Sequence, residues 1–99
     1  IYTASFPHVR MDAWDTLLPA RAIENQAFVC GVNRIGVDGY NITYSGHSVL
    51  LDFKGSELVN FPECARGILT DEISVNELNQ FREKYAFWKD ADEFEIKGL

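Results

Sequence analysis

Residues 20–36 read ARAIENQAFVCGVNRIG, and within them a helical pattern passes straight into an unbroken apolar run, Ala27-Phe28-Val29-Cys30. Upstream, Trp14, Leu17, Leu18 and Ala22 recur at the spacing of one helix face, which predicts a helix over residues 11–25. Downstream, residues 28–33 read as a strand without alternation, the pattern of a strand buried on both faces. A helix feeding a buried strand is the repeating unit of layered α/β architecture. Arg21 and Glu24 sit three apart at the junction. At about 100° per residue Arg21 falls on the stripe of Trp14, Leu17 and Leu18, so its guanidinium is expected to face the core. A buried guanidinium needs a carboxylate, and Glu24 is within reach one turn on. That favours a scaffolding pair over a catalytic acid or an anion clamp. Ile23 points to the opposite side, and a helix apolar on two sides is covered on two sides, by a further layer or a partner subunit. Pro19 lies inside the pattern, which continues through it, so one bent helix is expected rather than two.

Before the helix, residues 1–5 read as a short strand ended by Phe6-Pro7. After the buried strand, Gly36-Val37-Asp38-Gly39 has turn chemistry, and residues 42–44 and 47–53 read as strands separated by Ser45-Gly46. Lys54-Gly55 is a hairpin turn into a strand over 57–59, and residues 65–72 suggest another strand. Ser74-Val75-Asn76-Glu77 has the form of a capping box opening a helix that carries Leu78, Phe81 and Tyr85. The tail FWKDADEFEIKGL is too apolar to hang free and is expected to pack along something. The expected class is α/β, also describable as α+β, with a mixed, mostly antiparallel sheet and flanking helices.

At 99 residues the chain is one domain or part of one, long enough to bury an independent core. It opens at Ile1 directly in a strand, as a chain entered partway through would. Net charge is −6, and acidic residues outnumber basic ones in both halves, which argues against nucleic acid or an anionic membrane as partner. No apolar run is long enough for a membrane span. Cys30 lies among apolar neighbours and Cys64 beside Pro62-Glu63, so both read as free thiols of a cytoplasmic protein rather than a disulfide framework. His47 and Ser48, adjacent in a strand, would point to opposite faces and cannot form a dyad. His8, His47 and scattered acids do not make a metal site. Cys30 as nucleophile would need a base and an exposed, electropositive setting, and its apolar surroundings favour a core thiol. No complete active site emerges from the residues themselves.

Three stretches nevertheless form a known combination. WDTLLPARAIENQAFVCGVNRIG (14–36), YSGHSVLLDFKGSEL (44–58) and LTDEISVNELNQFREKYAFWKDADEF (69–94) resemble the C-terminal part of the nitrilase, or carbon–nitrogen hydrolase, superfamily. The element Arg21-Ala22-Ile23-Glu24-Asn25 and the later Gly46-His47-Ser48 stand in the family's order and spacing. The end of the chain looks most like the omega-amidase branch, whose members hydrolyse the terminal amide of α-keto acids such as α-ketoglutaramate and α-ketosuccinamate. The resemblance implies that this chain supplies roughly the second half of a four-layer α-β-β-α sandwich, without a cofactor. It implies a catalytic Glu, Lys and Cys, the last forming a thioester, all upstream of residue 1, so that this segment alone has no catalytic residue and no activity. It implies that the corner at Ser5 and Phe6 lines the substrate pocket, while Arg21, Glu24, Asn25, Gly46, His47 and Ser48 serve structure. It also implies a homodimer formed through the helix over 14–25 and the C-terminal tail. Another branch of the superfamily (a nitrilase, carbamoylase or aliphatic amidase) is the alternative within enzymes. A non-catalytic structural or interaction domain of the same fold is the alternative outside them.

Overall fold

The helix expected around Trp14 forms over Met11–Asn25 (α1), unbroken at Pro19, and it organises the rest. The computed structural model describes residues 1–98. Strand β1 (Tyr2–Ala4) precedes α1, and β2 (Val29–Asn33), β3 (Ile35–Val37), β4 (Thr43–Ser45), β5 (Val49–Leu51) and β6 (Glu57–Asn60) follow it. Helix α2 spans Val75–Lys84, and single 3₁₀ turns cover His8–Arg10 and Phe87–Asp90. A four-stranded sheet runs in the order β1-β2-β5-β6. β1 lies parallel to β2, β2 pairs antiparallel with β5, and β5 with β6. β3 and β4 form a separate antiparallel hairpin. The architecture is therefore mixed α/β, with antiparallel pairing predominant.

Two strands differ from expectation although their number does not. Residues 65–72 form no strand, while Ile35–Val37 do. Gly36 was the misleading residue: at φ +103 it reads as turn chemistry but sits within β3. The turn itself falls at Gly39-Tyr40, where Asp38 Oδ1 accepts from the Tyr40 and Ile42 N–H groups. The Ile42 N–H, with help from Tyr40, the Tyr44 hydroxyl and the Arg34 charge, holds the Asp38 carboxyl below its ordinary pKa.

The core lies between α1 and one face of the sheet: Met11, Trp14, Leu18 and Ala22 pack on Val29 and Leu51. That stripe is centred on Leu18, with Met11 and Ala22 close beside it, and it leaves out Leu17, which the expected stripe included. Leu17 and Arg21 consequently lie on its flank, and the expectation of an inward guanidinium is corrected: the Arg21 side chain is 43% exposed. Register puts Val29, Gly31 and Asn33 of β2 on the α1 side with Leu51 and Val49 of β5. Cys30, Val32, Leu50 and Val59 take the other face. β2 therefore alternates after all. Its second face is open in this chain, with Val32 47% exposed. Cys30 lines that open face, half-buried, rather than the core.

α1 ends without a glycine. Gln26, at φ 47, closes it in the left-handed region, with Gln26 N–H bonded to Ile23 O and Ala27 N–H to Ala22 O. This is the six-to-one, five-to-two bonding of a Schellman cap. The buried Gln26 amide then donates to Tyr85 O at 2.7 Å, while Arg82 Nε donates to Gln26 O at 2.8 Å. The cap thus clasps α2 to the end of α1. Phe81 stacks on Phe53, which meets Phe28, so an aromatic line continues the attachment. Ser74 caps α2 as expected, accepting from the Glu77 N–H at 3.2 Å. Phe87 meets Tyr85 at 6.4 Å, but beyond it the tail leaves Trp88, Phe94 and Ile96 well exposed; its last residue, Leu99, lies outside the described residues.

Candidate functional site

Where β1 ends, the chain turns at Ser5-Phe6-Pro7, and this corner is fastened by a side chain far along the sequence. Phe6 has left the ladder, so its N–H and C=O need new partners. One side chain supplies both. Asn33 Oδ1 accepts from Phe6 N–H at 2.8 Å, and Asn33 Nδ2 donates to Phe6 O at 2.9 Å. The second amide hydrogen goes to Gly46 O, also at 2.9 Å. The Phe6 ring packs against Trp14 at 5.4 Å, with the Arg10 guanidinium 5.4 Å from its centre. Ser5 is exposed, whereas Phe6 is half-buried against the core.

Gly46-His47-Ser48 closes over the same point, and each residue is fixed differently. Gly46 sits at φ +86, and a Cβ there would meet Ile35 Cγ2 at 2.9 Å, so glycine is required. His47 is also left-handed, at φ 58. Its carbonyl accepts from Trp14 Nε1 at 2.9 Å, and its Nδ1 lies 3.0 Å from both Asp15 carboxylate oxygens. Ser48 Oγ accepts from Asn33 N–H at 2.9 Å and donates to Asn33 O at 3.3 Å. His47 lies before β5 rather than within a strand, yet its ring goes to Asp15 and the Ser48 hydroxyl to Asn33, and the two do not meet.

The structure brings Ser5, Phe6, Gly46, His47 and Ser48 together around Asn33 and Trp14. Arg21, Glu24 and Asn25 are not among them: they lie on the last turns of α1, roughly 10–17 Å beyond Trp14 along the axis. Arg21 Nη1 bonds Glu24 Oε1 across one turn, and Asn25 Nδ2 donates back to Arg21 O at 2.9 Å. Both charges are about half exposed. Exposed pairs of this kind contribute about 0–1 kcal/mol. Glu24→Ala should therefore shift stability by about 0.5 kcal/mol or less, measured by denaturant unfolding. A loss of several kcal/mol would mean that the pair is buried against something further.

Sequence reasoning missed Asn33, whose type and place at a strand end carried no signal without the fold. It also missed the contact of His8 with Ser45. His8 Nδ1 and Ser45 Oγ share a hydrogen bond of 2.8 Å, and Glu63 Oε1 is 3.6 Å from the same nitrogen. This is not a nucleophilic triad. A triad needs opposite ring nitrogens for its two partners, and Ser45, at 1% exposure, is beyond a substrate's reach. Among the described residues no three His, Cys, Asp or Glu side chains are grouped to hold a metal ion. No helix among them is long and apolar enough to cross a membrane.

The family profile described as "Carbon-nitrogen hydrolase" matches residues 2–83, which takes in the Ser5-Phe6-Pro7 corner, the Gly46-His47-Ser48 segment and most of α2. The chain belongs to the carbon–nitrogen hydrolase family. The omega-amidase YafV of Escherichia coli K12 is 41% identical over 97 residues, 97% of this chain and 38% of its own length. The 2-oxoglutaramate amidase of Paenarthrobacter nicotinovorans is 34% identical over 99% of this chain and 33% of its own length. The chain thus spans only 33–38% of the length of these carbon–nitrogen hydrolase relatives. Among solved structures, XC1258 from Xanthomonas campestris, a CN-hydrolase superfamily protein with an arsenic adduct in its active site, superposes with TM-score 0.87 at 38% identity. That match covers 97% of this chain and 37% of the other.

Proposed function

We propose that this chain is the C-terminal part of an omega-amidase, a carbon–nitrogen hydrolase that cleaves the terminal amide of a small linear α-keto acid amide to carboxylate and ammonia. The observation that carries the reading is the 41% identity to an omega-amidase, sustained over 97% of the chain. In the proposed reaction a cysteine thiolate attacks the amide carbonyl, ammonia leaves, and water hydrolyses the thioester. A glutamate moves the protons and a lysine stabilises the oxyanion. All three residues would lie upstream of Ile1, and neither Cys30 nor Cys64 takes the nucleophile's part. Residues of this chain would contribute the pocket wall at Ser5 and Phe6. Arg21, Glu24, Asn25, Gly46, His47 and Ser48 would hold the surrounding structure.

Two features support a larger assembly. The open sheet face of Val32, Leu50 and Val59 lines a cavity of about 360 Å³ and is apolar enough to receive a second sheet, as a four-layer α-β-β-α sandwich requires. On α1, Leu17 and Ile23 are about half exposed, and the tail presents Trp88 and Phe94, surfaces that suit a homodimer. We place the enzyme in the cytoplasm, in keeping with its free thiols.

The mass of the natural polypeptide, and its release of ammonia from α-ketoglutaramate, test the reading together. The expected result is a protein well above 11.2 kDa that turns the amide over. A folded, inert 11.2 kDa protein overturns the reading.

A further inference from the structure

We propose that Asn33 is the positioning residue of the substrate wall: its side chain acts as a surrogate peptide that extends the β1–β2 ladder one step and sets where the Ser5-Phe6 corner stands. The inference rests on the proposed function, because it takes that corner as part of the pocket. Asn33 is the last residue of β2 and lies opposite Ala4, the last of β1. A further β-residue would offer one donor and one acceptor to the next peptide. The Asn33 amide offers the same to Phe6, at 2.8 and 2.9 Å, and its remaining hydrogen reaches Gly46 O. Both amide hydrogens are consumed inside a residue only 8% exposed. The Asn33 backbone is in turn held by Ser48 Oγ on both its N–H and its C=O.

This arrangement discriminates among side chains. Aspartate has the same shape but no donors, so its carboxylate would face the carbonyl oxygens of Phe6 and Gly46. Two buried acceptors would lose their partners beside a negative charge. Leucine would fill the space and satisfy none of the three groups. The corner and the Gly46 turn would then separate, and an exposed Ser5 would move with them.

The test compares Asn33→Asp with Phe6→Leu in the natural polypeptide, using α-ketoglutaramate and the one-carbon-shorter α-ketosuccinamate. The expected result for Asn33→Asp is a KM raised about tenfold, a smaller change in kcat, and an altered preference between the two chain lengths. Near-UV circular dichroism reports the Phe6–Trp14 contact and should change with it. A merely structural role would lower the melting temperature and leave KM and chain-length preference as they were. That outcome, with Phe6→Leu altering KM, overturns the role of Asn33 and leaves the pocket reading standing. Unchanged KM in Phe6→Leu, or an inert wild-type protein, overturns the pocket reading and this inference together. Where Asn33→Asp fails to fold, Ser48→Ala decides. It frees the Asn33 backbone and keeps the amide, so a KM shift in the same direction supports the role and an unchanged KM overturns it.

Discussion

Trp14→Ala is expected to remove about 3–5 kcal/mol of stability. Trp14 is 6% exposed and stands where three segments meet: the α1 core stripe, the Phe6 ring and the His47 carbonyl. Truncation opens a cavity under Gly31 and leaves the His47 carbonyl without its indole donor. At roughly 4–8 °C per kcal/mol for a domain of about this size, a fall of well over 10 °C should appear in a thermal melt. Trp14→Phe separates the contributions. It keeps most of the apolar fill and loses the N–H, so it should cost about 1–2 kcal/mol, and more of that loss should fall on the Gly46-His47-Ser48 segment. Hydrogen exchange at His47 and Ser48 reads this local part. A Trp14→Ala variant within 1 kcal/mol of the wild type would mean that α1 is held to the sheet by something other than this stripe.

Much of this was legible in the sequence, and the parts that were not share a cause. Met11–Asn25 could be read because apolar period and length agree, and residues 57–59 because Lys54-Gly55 announces the hairpin. The ion pair of Arg21 and Glu24 was also legible as a pair. Its placement was not, because a few apolar residues locate a stripe only to within one helix position. Moving the centre from near Trp14 to Leu18 turns Arg21 from core to flank. The strand assigned to residues 65–72 does not form, although β6 stands at the end of the sheet order, and nothing in the fold explains why. β3 was hidden by Gly36, whose positive φ is accommodated inside a hairpin arm. Asn33 and Gln26 were invisible for a further reason. Each satisfies backbone groups far along the chain, Phe6 in one case and Tyr85 in the other, and no local pattern encodes such a bond. The candidate site is built largely from bonds of this kind, so the fold could be read more fully than the site.

Gly31→Val should destabilise the protein by about 3 kcal/mol or more, at the upper end of what overpacked cores show. Gly31 faces α1 from the middle of β2, and a Cβ built there lies 2.6 Å from Leu18 Cδ1 and 2.9 Å from Trp14 Cζ2. The Leu18 methyl can rotate away at modest cost. The indole cannot, because its N–H is bonded to His47 O and its ring is stacked on Phe6. The strain therefore passes to the helix or to the corner, and either route moves the proposed substrate wall. Gly31→Ala should show the same direction at about 1–3 kcal/mol, and Gly39→Ala, with nothing within 4 Å of its new methyl, should be nearly neutral. A paired change isolates the cause. If Leu18 supplies part of the clash, Leu18→Ala should cost less in the Gly31→Ala background than in the wild type, a coupling that a double-mutant cycle measures directly. Strict additivity would mean that α1 shifts as a body instead. Both single variants should then disturb the Phe6–Trp14 contact to the same degree in near-UV circular dichroism. Glycine at this position sets the distance at which α1 rides on the sheet, and with it the height of the indole on which Phe6 and His47 both depend.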